Sequence, residues 1–391
     1  MATGRRTVVL SLAAASLARP SLAQPAEPIR LGWLTALTGP GSSAGIGFDR
    51  GLRFGVDEIN AAGGVNGRRI EIVTRDTQGD PTKCVNAVQE MVNRLRVHLI
   101  WGPVNSGESL AVTPIIARSR TPNLFPGVVD QLADPAKYPS AFRVAASNLQ
   151  WTEAAHRYCL AILKLPEIAV VADTTGYGAS SADLSEAALK RDGANVVGKY
   201  LIEAQQTDVT ADVLRMRNAG AKVILIWSVN GGFLSRVINA RSQLGWDVPI
   251  VGHPALGSGE VKALMARPEN WEKVYAVGYR SASFDAQGRL PPRTAALVEK
   301  LQGKVRLDDT SLWWILSAYD VAHLTANAVK AAGSSDAAKL NEHFNGLRDW
   351  PGVFATYTFS PTDHNGLRAE EVVMQTANSN RDGAFTIAPG Y

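Results

Sequence analysis

The stretch from Ile29 to Pro103 alternates strand and helix signals, and that alternation restricts the fold more than any other feature. "IRLGWLTAL" reads as a strand ending in the loop "TGPGSSAGIG", and "DRGLRFGVDEINA" carries Leu52, Val56 and Ile59 at helical spacing. "RRIEIVTRD" alternates as a strand, "DPTKCVNAVQEMVN" is a helix with Asp80 as its cap, and "VHLIWGP" is a strand again. Such an order predicts a parallel sheet covered by helices. The rhythm continues from "ESLAVTPIIARSR" to "PIVGHP". Single hydrophobic cores stop growing at roughly 250 to 300 residues. A chain of 391 residues with 46% hydrophobic content is therefore expected to form two doubly wound α/β lobes.

Between the first helix and the second strand lies "EINAAGGVNGRRIEIV". Gly63 and Gly64 can take the positive φ that ends a helix, and Asn66-Gly67 supplies a tight turn. This is the return of a βαβ crossover and carries no chemistry of its own.

In open parallel sheets ligands bind beyond the carboxyl ends of the strands. The loops that follow the predicted strands are "TALTGPGSSAG", "GPVNSGES" and "FPGVVDQ" in the first half, and "ADTTGYGAS", "SVNGGFL" and "GHPALGS" in the second. They are rich in small and hydroxylated residues, and several run straight into helices, whose exposed amides favour anions. Asn105, Ser106 and Gly107 are thus placed to hold a carboxylate. Ser106 and Ser109 read equally well as helix-capping hydroxyls. Trp33, Trp101 and Trp227, inside strands, read as core, whereas Trp151 and Tyr177 stand at loop and helix starts.

Several function classes are excluded. The N-terminal "MATGRRTVVLSLAAASLARPSLAQ" pairs Arg5-Arg6 with a short apolar run and a small-x-small cleavage site, as a signal peptide over residues 1–23 would. A twin-arginine signal matches only loosely. The apolar run is shorter than the ~20 residues that span a bilayer, and no other segment is long enough, so the protein is not expected to be membrane-embedded. Loss of Arg5, Arg6 and Arg19 with the leader takes the formal charge from +4 to +1, and no basic block of nucleic-acid-binding density occurs. The two cysteines, Cys84 and Cys159, sit on apolar helix faces and read as free thiols. The six histidines lack metal spacing, and no nucleophile or phosphate-cradling motif is present. Neither catalysis, a metal nor a cofactor is expected.

The run "DEINAAGGVNGRRIEIVTRDTQGDPTKCVNAVQEMV", with "GWLTALTGPGSSAGIGFDRGLRFGVDEIN", "WGPVNSGESLAVTPI" and "ADTTGYGASSADLSEAALKRDGANVVG", resembles the leucine/isoleucine/valine-binding protein family, the periplasmic solute receptors of ABC importers with the type I two-lobed fold. The resemblance covers essentially the whole mature chain. It implies an N-terminal lobe of residues 25–146 plus 280–352 and a C-terminal lobe of 147–279 plus 353–391, joined by crossovers near 144–149, 277–283 and 352–357. It implies hinge closure on a small ligand, delivery to a membrane permease, a periplasmic location, and a monomer.

By the same resemblance Ser106 and Gly107 correspond to the family's carboxylate-binding pair, and Tyr177 to the aromatic that closes over the ligand. Ser43, Asn105, Gly127, Val128, Val129, Trp151, Asn230 and His253 complete the expected ligand set. Amino-acid binders keep a hydroxyl and an acidic residue where this chain has Val129 and Pro254. A buried ammonium without acceptors costs several kcal/mol. The expected ligand is accordingly an aromatic or other non-amino carboxylate. Asp130, Asp173 and Asp208 are the carboxylates that could restore an ammonium site. A branched-chain amino-acid receptor and the ligand-sensing protein of a signalling system are the alternatives.

Overall fold

The computed structural model describes residue 1, residues 27–39 and residues 41–391. The expected signal peptide, apart from Met1, lies outside the described residues. The first sheet runs through β1 (Ile29–Thr35), β2 (Ile70–Asp76), β3 (Leu99–Trp101), β4 (Asn123–Phe125) and β5 (Ala141–Arg143). Its order is β2-β1-β3-β4-β5, every pair parallel. Its connecting helices are α1 (Ser42–Ala61), α2 (Pro81–Gln89) and α3 (Ser106–Ser119). Asp80 caps α2 as expected, accepting from Thr82 N at 2.7 Å and Lys83 N at 3.2 Å.

The second sheet contains β6 (Glu167–Asp173), β7 (Asn195–Ile202), β8 (Val223–Trp227), β9 (Ile250–Gly252), β10 (Val274–Tyr279) and, later in the chain, Val372–Thr376. These strands are parallel except the last, which runs antiparallel to β10 at the edge. The helices α4 (Asn148–Arg157), α5 (Gly176–Arg191), α6 (Thr210–Asn218), α7 (Gly231–Gln243) and α8 (Gly259–Ala263) accompany this sheet. Strand interiors such as "VILIW" of β8 are buried throughout, as parallel strands covered on both faces must be. Trp33, Trp101 and Trp227 are fully buried core, with Trp33 Nε1 on Asp49 at 3.1 Å and Trp227 Nε1 on Ser185 Oγ at 2.7 Å.

The turn after α1 shows why its glycines are there. Gly63, Gly64, Asn66 and Gly67 have φ of 99°, 75°, 53° and 77°. A side chain on Gly64 would bring its Cβ within 2.2 Å of the Arg68 carbonyl oxygen. The strand that follows ends in Asp76, whose carboxylate accepts from Thr38 Oγ1 at 2.7 Å, Leu37 N at 2.9 Å and Gln78 N at 3.0 Å. Burial raises this carboxyl's pKa, but those donors outweigh it and hold it below the usual range. The carboxylate therefore fixes the loop that leads into α1.

The first lobe is completed from far along the chain by α9 (Pro292–Leu301), α10 (Leu312–Ala332) and α11 (Ala337–Asn345). α10 lies along α1 so closely that a Cβ on Gly51 would sit 2.2 Å from the Ile315 carbonyl oxygen.

The chain passes between the two sheets three times, at residues 144–147, in the segment that follows Tyr279 and at 367–371. The third passage lies beyond the expected 352–357. The intervening segment folds back on the first lobe, because Asp320 of α10 accepts from the amides of Val353 and Phe354, both at 2.8 Å. Phe359 then packs on Phe142, and Asn365 bridges Arg143 of β5.

Candidate functional site

The strand-end loops of the first lobe lie beyond the carboxyl ends of its parallel strands. α3 starts at Ser106 with Asn105 as its N-cap, and Asn105 makes no side-chain cap bond. The amides of this first turn, the exposed Gly107 among them, are disposed for an anion. Ser106 is half-buried. Ser109 is fully buried and turned into its own helix, donating to Asn105 O at 2.9 Å. Ser43 is exposed in the first turn of α1. The two helix starts are neighbours, since a Cβ on Gly41 would lie 3.0 Å from Asn105 Oδ1.

The adjoining loop of Gly127, Val128 and Val129 is organised by a residue that sequence reasoning missed. Arg143 of β5 is fully buried. It donates through Nε to Gly127 O at 2.8 Å and through Nη1 to Asn365 Oδ1 at 2.7 Å, and Nη2 reaches Val129 O. Burial lowers its pKa to about 10, still far above neutral pH. Its hydrogen-bond partners are carbonyl oxygens and an amide, while Asp130 and Asp363 act on it only at a distance. A retained positive charge behind the loop is the result. The only sequence signal was an arginine between Phe142 and Val144, where an apolar residue belongs.

On the side of the second sheet an aromatic group is assembled. The His253 ring lies 5.3 Å from Trp151 at 83° and 5.4 Å from Tyr177 at 69°, both edge-on. The sequence separates these three residues widely, and the fold brings them together. His253 Nδ1 accepts from Ala255 N at 3.0 Å, which places its proton on Nε2. Burial pushes its pKa down to about 3, so the ring is neutral. Trp151 Nε1 donates to the Tyr279 hydroxyl at 3.1 Å. Asn230 caps α7, its Oδ1 accepting from Phe233 N at 2.9 Å. Asn148 links the loop of Val128 to α5: its amide donates to Val128 O at 2.7 Å and its Nδ2 to Ser181 Oγ at 3.1 Å.

Two of the carboxylates that might meet an ammonium, Asp173 and Asp208, are otherwise engaged. Asp173 is fully buried and accepts from Thr175 N at 3.1 Å and from the hydroxyls of Thr175 and Ser228, so it ties the loops after β6 and β8 together. Asp208 caps Thr210 N at 2.8 Å. Asp130 is exposed, with a 3.5 Å contact from Leu149 N. Pro254 opens a short 3-10 turn, Pro254–Gly257. Cys84 and Cys159 are free and buried. Among the described residues no group of three His, Cys, Asp or Glu could hold a metal, and no helix is long and apolar enough to cross a membrane.

The periplasmic binding protein family profile matches residues 28–382. The chain is 26% identical over 343 residues to Leu/Ile/Val-binding protein homolog 3 of Brucella melitensis, covering 85% of this chain and 88% of that protein. Its fold matches the branched-chain amino acid transporter substrate-binding protein LivJ from Streptococcus pneumoniae in complex with isoleucine, with a TM-score of 0.78 and 22% identity, over 92% of this chain and 97% of that one. It also matches an ABC transporter solute-binding protein from R. palustris in complex with 4-hydroxybenzoate, with a TM-score of 0.75 and 20% identity, over 92% and 95% of the two chains. A profile match across nearly all of the described chain, with two parallel sheets each covered by helices, leads to one conclusion: the protein belongs to the Leu/Ile/Val-binding family of type I periplasmic binding proteins, the non-enzymatic substrate-binding receptors of ABC transporters.

Proposed function

We propose that this receptor closes on a small carboxylate without an α-ammonium group, aromatic acids foremost, and presents it to a membrane permease. The observation that carries this reading is the pairing of a buried arginine, hydrogen-bonded only to neutral oxygens, with an aromatic wall whose nearby carboxylate, Asp173, is already satisfied. The ligand carboxylate would sit at the start of α3, on Ser106, Gly107 and adjacent amides, with Asn105 and Ser43 beside it. Its apolar body would lie among Val128, Val129, Trp151, Tyr177 and His253. The 4-hydroxybenzoate bound by the R. palustris protein belongs to this ligand class. A second reading, a branched-chain amino-acid receptor, is favoured by the name of the Brucella relative and by the isoleucine bound to LivJ.

Thermal-shift titration decides between them. A ligand at ~100 times its dissociation constant stabilises by ~2.7 kcal/mol, or several degrees for a lobe of this size. Benzoate and 4-hydroxybenzoate are expected to raise Tm, whereas leucine and valine leave it unchanged. The opposite pattern would replace this ligand class with the second reading. Ser106→Ala is expected to weaken carboxylate binding by ~1.5 to 3 kcal/mol, the range for a charge-assisted hydrogen bond. Tyr177→Ala should weaken aromatic acids more than short aliphatic ones, and equal losses would remove Tyr177 from the aromatic wall. Small-angle scattering should show a smaller radius with saturating ligand. An unchanged radius would count against closure.

A further inference from the structure

The three passages between the lobes meet at the first turn of α4. Ser147 caps this helix: its Oγ accepts from Gln150 N at 3.2 Å, and Gln150 Oε1 accepts from Ser147 N at 2.9 Å. The same side chain extends past its own helix, Nε2 donating to Leu367 O at 3.0 Å in the third passage. Next to it, Trp151 donates to the hydroxyl of Tyr279, the last residue before the second passage. That hydroxyl also takes Ala146 N of the first passage, at 3.4 Å. The Tyr279 ring is fully buried on Trp313, at 4.9 Å, and Phe354, at 4.7 Å. One helical turn thus holds every covalent link between the lobes.

We infer that Gln150 and Tyr279 are positioning residues that fasten the three passages together and so set how far the lobes swing. Hinge closure concentrates its φ/ψ changes in a few linking residues. Three links tied to one turn must change together, which limits the shapes open to the ligand-free protein. Apparent affinity scales with the population of the binding-competent shape, so a residue outside the expected ligand set should alter it. Only that affinity consequence rests on the proposed receptor reading.

Gln150→Glu separates the fastener from the helix cap. A glutamate at this position still accepts from Ser147 N and suits the start of a helix. When ionised it cannot donate to Leu367 O. Tyr279→Phe removes the other tie and keeps the ring packing. Hydrogen exchange at residues 367–371 in Gln150→Glu, and at 280–282 in Tyr279→Phe, should quicken by roughly fivefold, the size of one lost hydrogen bond. Far-UV circular dichroism should be unchanged. The deciding measurement is small-angle scattering of the ligand-free protein: both variants are expected to show a broader distance distribution than wild type. Curves superimposable on wild type in both variants would overturn the proposal. Binding of 4-hydroxybenzoate should fall by about fivefold. If wild type fails to bind that probe, the ligand reading falls, while the ligand-free scattering still decides the fastener.

Discussion

Arg143→Leu is expected to lower Tm by ~6 to 20 °C. The substitution leaves the buried Gly127 O and the part-buried Val129 O and Asn365 Oδ1 without their donor. Each stranded acceptor costs ~1 to 3 kcal/mol, and relief from burying a guanidinium offsets part of the sum, leaving ~3 to 5 kcal/mol. For ~150 to 250 residues each kcal/mol moves Tm by ~2 to 4 °C. Arg143→Lys keeps the charge but loses the planar fork, so it should fall between leucine and wild type. Calorimetry of the three proteins checks the order. A leucine variant melting within a degree or two of wild type would show that the loop of Gly127, Val128 and Val129 holds its shape without the arginine.

The second large effect concerns acid. Burial pushes His253 down to about 3 and His156 down to about 4, the latter with a smaller opposing pull from Asp192. An unfolded histidine titrates near ~6.5. Between the folded and unfolded values the unfolded chain binds more protons, so these groups favour folding fully above about 6.5 and progressively less below it. The slope is ~1.4 kcal/mol per pH unit for each histidine, or ~2 kcal/mol for each between pH 6.5 and 5. Asp320 opposes this. Burial pushes it up to about 7, so it favours folding at low pH and does so less as pH rises. The His253 contribution is therefore read as a difference. Denaturant titrations of wild type and His253→Phe should diverge with acidification, the variant losing less stability. Parallel profiles would show that His253 takes up a proton without unfolding.

Much of this architecture was legible because parallel strands covered on both faces are continuous apolar runs, as in "VILIW" and "IAVVA". Helix caps and turns were legible for a local reason: Asp80, Gly63 and Asn66-Gly67 act within a few residues of where they stand. The loops beyond the strands followed from topology, so candidate residues could be named on both lobes before their contacts were known. β5 is three residues long and shows no period, and its buried arginine contradicts the rule that charged residues face water. The late third passage was invisible for another reason. "GVFATYTFS" reads as an apolar segment, and partners far along the chain, the Asp320 carboxylate and the Phe142 ring, determine which lobe it joins. Ties such as Gln150 to Leu367 span residues far apart in sequence and leave no pattern.

The close seating of α1 on α10 has a consequence for biosynthesis. α1 ends at Ala61 and α10 begins at Leu312, with five of the six strands of the second sheet encoded between them. During translation the strands of the first sheet emerge early, yet the apolar groove along α1 stays uncovered until the ribosome has nearly finished. Contacts this distant in sequence form slowly, and the uncovered face is sticky in the interval. The half that emerges first therefore waits, with the α10-facing side of α1 open, for a helix encoded after most of the second sheet.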